Sequence, residues 1–381
     1  MSTINSINDL KRLPIITADQ FRAATQRGET LATSVEAGEG QRFSTGGSTG
    51  IPLEVRRGSV EARLWRTAGL SMQLEHGFSW SDTTVQFDVA PHQPHPLQKL
   101  GIAPSIWIDP KLPIEVQMDL LLQAKPSVIH GHVTVLRAMA KALIDRSCQL
   151  HNPLTIFSVA ELLDKDSRDT IRAGFGVDPT DVYGMTEVGF IAWQCEVHQQ
   201  MHVNAELVIV EILGEDGPAQ PGELGRVVVT DLRGRTMPAI RYDTGDLARA
   251  SEPCVCGRSL PSIGPLEGRA RQAIVRPDGS TITPLGIMNH LSSSLRTGEY
   301  CLQRISEHQF LLRITSQGLF PGKNAHEICQ ELEDWLGGCE VKAEIVTGFP
   351  KGLKTHSVVD LRNSLSPLPD NEGCMSTAEK Q

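Results

Sequence analysis

The chain has 381 residues, 40% of them apolar and 21% charged, and its 36 Lys and Arg against 45 Asp and Glu leave a net charge of -9. That length supports two or three domains with sizeable cores and excludes a short peptide or a disordered chain. The acidic balance argues against a nucleic-acid or acidic-membrane binder, which needs a cationic surface, so small molecules are the expected partners. No apolar run nears the roughly 20 residues that cross a bilayer, and the opening Met-Ser-Thr-Ile-Asn-Ser offers neither a basic nor an apolar leader region, so a cytoplasmic location is expected. Eight unevenly spaced cysteines are too sparse for a disulfide scaffold.

Up to residue 40 the sequence is polar, with helix-like patches. Gly, Ser and Thr then concentrate in Ser44-Thr45-Gly46-Gly47-Ser48-Thr49-Gly50. The glycines let backbone amides close around an anion without Cβ obstruction, and the hydroxyls add donors; composition alone also allows a flexible surface turn. The Walker-A pattern needs Gly-Lys and then Ser or Thr leading into a helix, whereas Ile51-Pro52-Leu53-Glu54-Val55 reads as a strand, so an ordinary P-loop NTPase is disfavoured. Helical apolar spacing recurs over 59–76 and 133–145, with strand-like runs at 84–89 and 127–129 between them, as in an α/β layer.

From 206 the rhythm becomes strand and turn, at 207–213 and 225–230, which predicts a β-rich subdomain. After Gly268-Arg269 the chain starts again as a small α+β unit, with strands at 309–314 and 340–346 around a helix near 324–336. The predicted division is a large domain over 1–268, a small one over 269–363 and a polar, disordered tail over 364–381. Cys195, His198, His202, Cys254 and Cys256 offer soft and borderline ligands in two clusters, enough for a tetrahedral zinc; the alternative is free thiols beside surface histidines. Four protein ligands would make that zinc structural.

Three further segments follow in order: Val182-Tyr183-Gly184-Met185-Thr186-Glu187, Ile240-Arg241-Tyr242-Asp243-Thr244-Gly245-Asp246 and Gly268-Arg269. Together with the 44–50 loop they resemble the ordered motifs of adenylate-forming enzymes, the superfamily of acyl-CoA ligases, adenylation domains and luciferase. Met237-Pro238-Ala239-Ile240-Arg241-Tyr242 and Cys254-Val255-Cys256-Gly257-Arg258 make the likeness to phenylacetate-CoA ligase-like proteins the nearest. The resemblance runs over about 43–362. It implies an α/β adenylate-forming fold, in which a large N-terminal ATP- and acid-binding domain carries a small, mobile C-terminal lid.

It also implies roles. Ser44, Thr45, Gly46, Gly47, Ser48, Thr49 and Gly50 would hold the β- and γ-phosphates. Ala160 and Glu161 would flank adenine. In the segment Tyr183, Gly184, Met185, Thr186, Glu187, the Tyr183 ring would lie on adenine, the Thr186 hydroxyl on the α-phosphate and the Glu187 carboxylate on Mg2+, a cation that prefers oxygen. Asp246 would accept from both ribose hydroxyls, with Arg269 nearby; read without the likeness, Asp246 is equally suited to capping a turn. The likeness assigns the zinc histidine to His202 rather than His198. His130-Gly131-His132 would fall near the acyl-pocket wall. Counting back from Asp360 makes Lys354, not Lys351, the lysine that swings into the active site, although Leu353 replaces the glycine expected before it.

Some features depart from the family pattern. The 44–50 loop lies near the amino terminus, which predicts a shortened first subdomain. Ala270-Arg271-Gln272 and Arg276-Pro277-Asp278-Gly279 stand where relatives carry acidic residues and then Arg-Gly. Proteins of this shortened form resemble adenylating components of phenazine-antibiotic and related aromatic natural-product pathways. The activity implied is ATP- and Mg2+-dependent conversion of a carboxylic acid, aromatic in the nearest likeness, into an acyl-adenylate. CoA, a carrier thiol or an amine is the acceptor, and a homodimer is allowed for. The competing expectation is a nucleotide- or acid-binding protein that kept the fold without turnover.

Overall fold

The computed structural model describes residues 6–32, 41–44, 53–89, 96–151, 153–197, 199–276, 278–295, 299–315, 324–349 and 357–362. Alternating apolar strands and amphipathic helices build its first half. Thr84–Phe87, Ser105–Ile108, Val128–His132, Thr155–Val159 and Thr180–Met185 pair in parallel. Helices Ile114–Ala124, Val133–Asp145 and Lys165–Phe175 cover one face through Met118, Leu121, Leu136, Met139, Leu143 and Ile171, all buried. The 17-residue helix Ser59–Glu75 buries Met72 with Phe78, Val128 and Phe157 in a separate cluster.

The strands predicted after 206 do not form a separate sheet. Gly189–Gln194 turns back antiparallel on Thr180–Met185, Met201–Val203 follows, and Ser262–Arg269, Tyr242–Ala250, Leu224–Asp231 and Val208–Leu213 extend the same surface, which counts 12 strands once Ile16–Thr17 is included. The physical reason is the short Met201–Val203 strand, which pairs on both sides and leaves no edge at which the sheet could break. Ile16–Thr17 adds a parallel pairing to Tyr242–Ala250. Arg241 secures it: the buried guanidinium grips both oxygens of Glu211 at 3.0 and 3.1 Å and donates to the carbonyls of Leu13 and Lys11.

Beyond Arg269 a second sheet, ordered Glu340–Val346, Gln309–Thr315, Tyr300–Arg304 and Ser357–Asp360, packs with helices Pro284–Ser294 and Ala325–Leu336 around its own core of Ile287, Leu291, Leu302, Phe310, Leu312, Ile328 and Leu332. The sequence reading did not mark Pro284–Ser294. Thr283 starts that helix by accepting from the Gly286 N–H at 3.1 Å, with Pro284 in the first turn. No helix among the described residues is long and apolar enough to cross a membrane.

Candidate active site and a cysteine-histidine cluster

In open α/β sheets, ligands bind outside the carboxyl ends of the parallel strands. At that end Thr180–Met185, which carries Tyr183, Gly184 and Met185, passes into the turn bearing Thr186 and Glu187 before the chain returns as Gly189–Gln194. Gly189 has φ 88°, and a Cβ there would sit 2.2 Å from the Trp65 indole, so the hairpin closes only with glycine.

The side chains of this turn meet those of the neighbouring strands. Tyr183 donates its hydroxyl to Asp246 Oδ2 at 2.8 Å, and Arg269 Nε lies 3.1 Å from Asp246 Oδ1. Asp246 and Arg269 are directly paired across adjacent strands, and Arg269 also donates to the Thr244 carbonyl at 2.7 Å. The turn-capping role that Asp246 could have filled belongs to Asp243, which accepts from the Gly245 N–H at 3.0 Å. Burial pushes the Asp246 carboxyl above its ordinary range, with Arg269 pulling the other way.

Glu187 accepts from the Tyr242 hydroxyl at 3.2 Å, and burial raises its pKa while the nearby charge of Asp246 adds to the rise.

Of the 44–50 loop, Ser44 lies among the described residues. Gln41–Ser44 pairs antiparallel with Glu54–Arg57, and Ser44, exposed, lies opposite Glu54. Thr45, Gly46, Gly47, Ser48, Thr49 and Gly50 lie outside the described residues, as do His198, Lys354 and the tail from 364. Ala160 adopts a left-handed φ of 64° just beyond Thr155–Val159. The Glu161 carboxylate accepts from the N–H and hydroxyl of Thr134, both at 2.8 Å, and so caps the helix Val133–Asp145. His130 meets Gln73 at 2.9 Å and lies 4.8 Å from the Phe157 ring; burial lowers its pKa to about 4, which keeps the imidazole neutral.

Two residues at this site were not singled out from sequence. Tyr242 stands inside the quoted 240–246 motif. Arg57 carries no motif signal, because its partners are the main-chain carbonyls of Thr186 and Glu187, about 130 positions away.

At the opposite ends of the same strands, Cys195, His202, Cys254 and Cys256 bring one ligand atom each to within 4.8 Å of one another. Cys195 follows Gly189–Gln194, His202 lies fully buried in Met201–Val203, and the other two occupy the connection between Tyr242–Ala250 and Ser262–Arg269. Cys254 and Cys195 Sγ atoms are 3.7 Å apart, and Cys256 Sγ is 3.3 Å from His202 Nε2. A tetrahedral zinc with thiolates at ~2.3 Å spaces its sulfurs by roughly 3.8 Å, so the donors have both the identity and the spacing such an ion needs.

No protein-family model matches the chain. Phenylacetate-coenzyme A ligase of Thermus thermophilus is 28% identical over 169 residues, and that of Aromatoleum evansii 31% over 170, each match covering 42% of this chain and 38% of the relative. The matched stretch thus spans well under half of the length of these relatives. Among solved structures, 2-hydroxyisobutyryl-CoA ligase in complex with an acyl-AMP superposes with a TM-score of 0.73 at 17% identity, covering 93% of this chain and 81% of that one. Anthranilate CoA ligase with anthranoyl-AMP gives 0.57 at 15% identity, covering 83% and 65%. The fold is therefore that of the adenylate-forming ligases. Over its matched stretch the chain is phenylacetate-CoA ligase-like.

Proposed function

We propose that the protein activates a carboxylic acid with ATP, forming an acyl-adenylate and pyrophosphate, and then passes the acyl group to a thiol, for which CoA is the leading candidate. The observation that carries this reading is the convergence of Tyr183, Asp246, Arg269 and Glu187, with Thr186 in the same turn, at the carboxyl ends of the parallel strands beside the stem of the Ser/Thr/Gly hairpin. A carboxylate oxygen attacks the α-phosphorus, the bond to the β-phosphate oxygen breaks, and pyrophosphate leaves; thiol attack at the activated carbonyl then expels AMP.

In this reading Asp246 receives the ribose hydroxyls, Tyr183 borders adenine, and Thr186 holds the α-phosphate. Arg269 offsets developing negative charge. Ser44, Thr45, Gly46, Gly47, Ser48, Thr49 and Gly50 receive the outer phosphates. Glu187 would hold Mg2+, which supplies charge neutralisation on the phosphates when bound. Lys354 would bridge the reacting carboxylate and the α-phosphate. Cys195, His202, Cys254 and Cys256 would hold a structural zinc, a proposal supported by their donor set and spacing.

An aromatic acid, including one destined for phenazine-like products, is the substrate class we favour. Support comes from the names of the curated relatives and from the neutral His130 ring beside Phe157. The test is acid-dependent exchange of labelled pyrophosphate into ATP, screened over benzoate, phenylacetate and phenazine-type acids. Exchange with at least one aromatic acid is expected; none with any acid, from protein that binds ATP, would replace the enzyme reading with a binding one.

A further inference from the structure

We propose that Arg57 is a positioning residue for adenylation, fixing the Thr186–Glu187 main chain to the stem of the phosphate-loop hairpin. This rests on the active-site reading above and assigns a role to a residue outside its motifs. Arg57 ends the strand Glu54–Arg57 and is only 3% exposed. Its Nη2 donates to the Thr186 carbonyl at 3.0 Å and, in a shorter contact, to the Glu187 carbonyl. Its Nη1 faces Asp231 Oδ2 at 3.8 Å, and the guanidinium carbon lies over the Trp65 ring, 3.3 Å from its centroid. Burial lowers its pKa to about 10, so it remains cationic at neutral pH.

Each contact restricts a different freedom. The Trp65 face sets the plane of the guanidinium, and Trp65 can occupy that position because Gly189 has no side chain. Asp231 counters the buried charge and is itself held by the Arg233 and Gly234 N–H groups, both at 2.8 Å. Nη2 reaches two consecutive carbonyls. Those carbonyls belong to the residues whose side chains would meet the α-phosphate and Mg2+. On the other side, Tyr242 holds the Glu187 carboxylate, so the residue is fixed by main chain and side chain from two different strands.

Glu54, opposite Ser44 at the loop end of the stem, is three residues or about 10 Å along the strand from Arg57. Arg57 thus ties by hydrogen bonds the strand that pairs with Gln41–Ser44 to the Thr186–Glu187 turn. Lysine cannot reproduce it, since an ammonium has no planar face to lie on Trp65 and offers one nitrogen where Arg57 uses Nη2 for the carbonyls and Nη1 for Asp231.

The test compares wild type, Arg57→Lys, and the double variant Arg57→Met with Asp231→Asn, which removes the buried charge pair together and guards against failure to fold. Melting temperature, Mg2+ dependence of ATP binding by calorimetry, and pyrophosphate exchange are measured on each. Both variants should raise the half-saturating Mg2+ for ATP binding by roughly tenfold. Exchange kcat should fall by roughly 10- to 100-fold, with the KM for the acid within about twofold of wild type. Unchanged Mg2+ dependence, with rates falling only as far as melting temperature does, would overturn the role. If Glu187→Gln impairs Mg2+-dependent ATP binding while Arg57→Lys leaves it intact, the proposal fails alone; if Glu187→Gln also leaves it intact, the reading of Glu187 fails and takes the proposal with it.

Discussion

Two clusters sit at opposite ends of the same antiparallel strands and are held in opposite ways. At the Asp246 end, each charged group has a partner supplied by the protein: Tyr183 and Arg269 for Asp246, Tyr242 for Glu187, Asp231 for Arg57. At the Cys195 end, three thiols and a buried imidazole crowd together with weak sulfur contacts among themselves. Thiols are poor hydrogen-bonding groups, so on the proposed reading the second cluster would gain its stability from a soft cation, whereas the first is held by the chain's own partners. Loss at one end should therefore appear as unfolding, and loss at the other as lost binding or turnover.

Metal removal should give the largest effect. Cys254→Ser, or dialysis against a strong chelator, should abolish about one equivalent of bound zinc and lower the melting temperature by roughly 10 °C or more, since binding free energy at a structural site is folding free energy. Less than about 0.2 equivalents of zinc in protein purified without chelators would remove this half of the comparison.

Lys354→Ala should leave melting unchanged and reduce adenylate formation by about 10² or more, while supplied acyl-adenylate is still consumed by a thiol. Equal loss of both half-reactions would point to damage elsewhere. For Asp246→Ala, removing a carboxylate expected to accept two ribose hydrogen bonds should weaken ATP binding by roughly 1.5 to 3 kcal/mol per bond before compensation. Calorimetry showing wild-type ATP affinity would contradict the ribose assignment.

How far these sites can be read without coordinates differs in the same way. Cys-x-Cys and the Tyr-Gly-Met-Thr-Glu run are local patterns, and period-two and helical spacing locate strands such as Leu224–Asp231 and helices such as Val133–Asp145. The pairing of Asp246 with Tyr183 depends on which strands lie side by side, a property of the whole sheet. Arg57 is the extreme case, since a side chain that bonds main-chain carbonyls leaves no partner pattern in sequence. The single 12-stranded sheet was also hidden, because the three-residue strand Met201–Val203 that joins its halves is too short to announce itself.

The smallest effect concerns Asp181, at the start of Thr180–Met185 beside Gln194. Burial raises its pKa to about 6, partly offset by the Ser158 hydroxyl at 3.1 Å. A carboxyl whose folded pKa exceeds its unfolded value of about 3.9 stabilises the fold while protonated, and that contribution is lost as pH rises through about 4 to 6. Asp181→Asn keeps an acceptor for Ser158 and removes the ionisation. It should raise the melting temperature at pH 7 by roughly 1 to 3 °C, with the gain vanishing near pH 4. A gain independent of pH would assign the effect to something other than this carboxyl.

The central claim is that the acid's own oxygen attacks the α-phosphorus, and isotope transfer tests it most directly. The acid giving the fastest exchange is labelled with 18O in its carboxylate and turned over with ATP, Mg2+ and CoA, and the nucleotide product is weighed by mass spectrometry. The account predicts AMP carrying one labelled oxygen, with thioester formed in equal amount. Unlabelled AMP, or ADP and phosphate as the products, would contradict it.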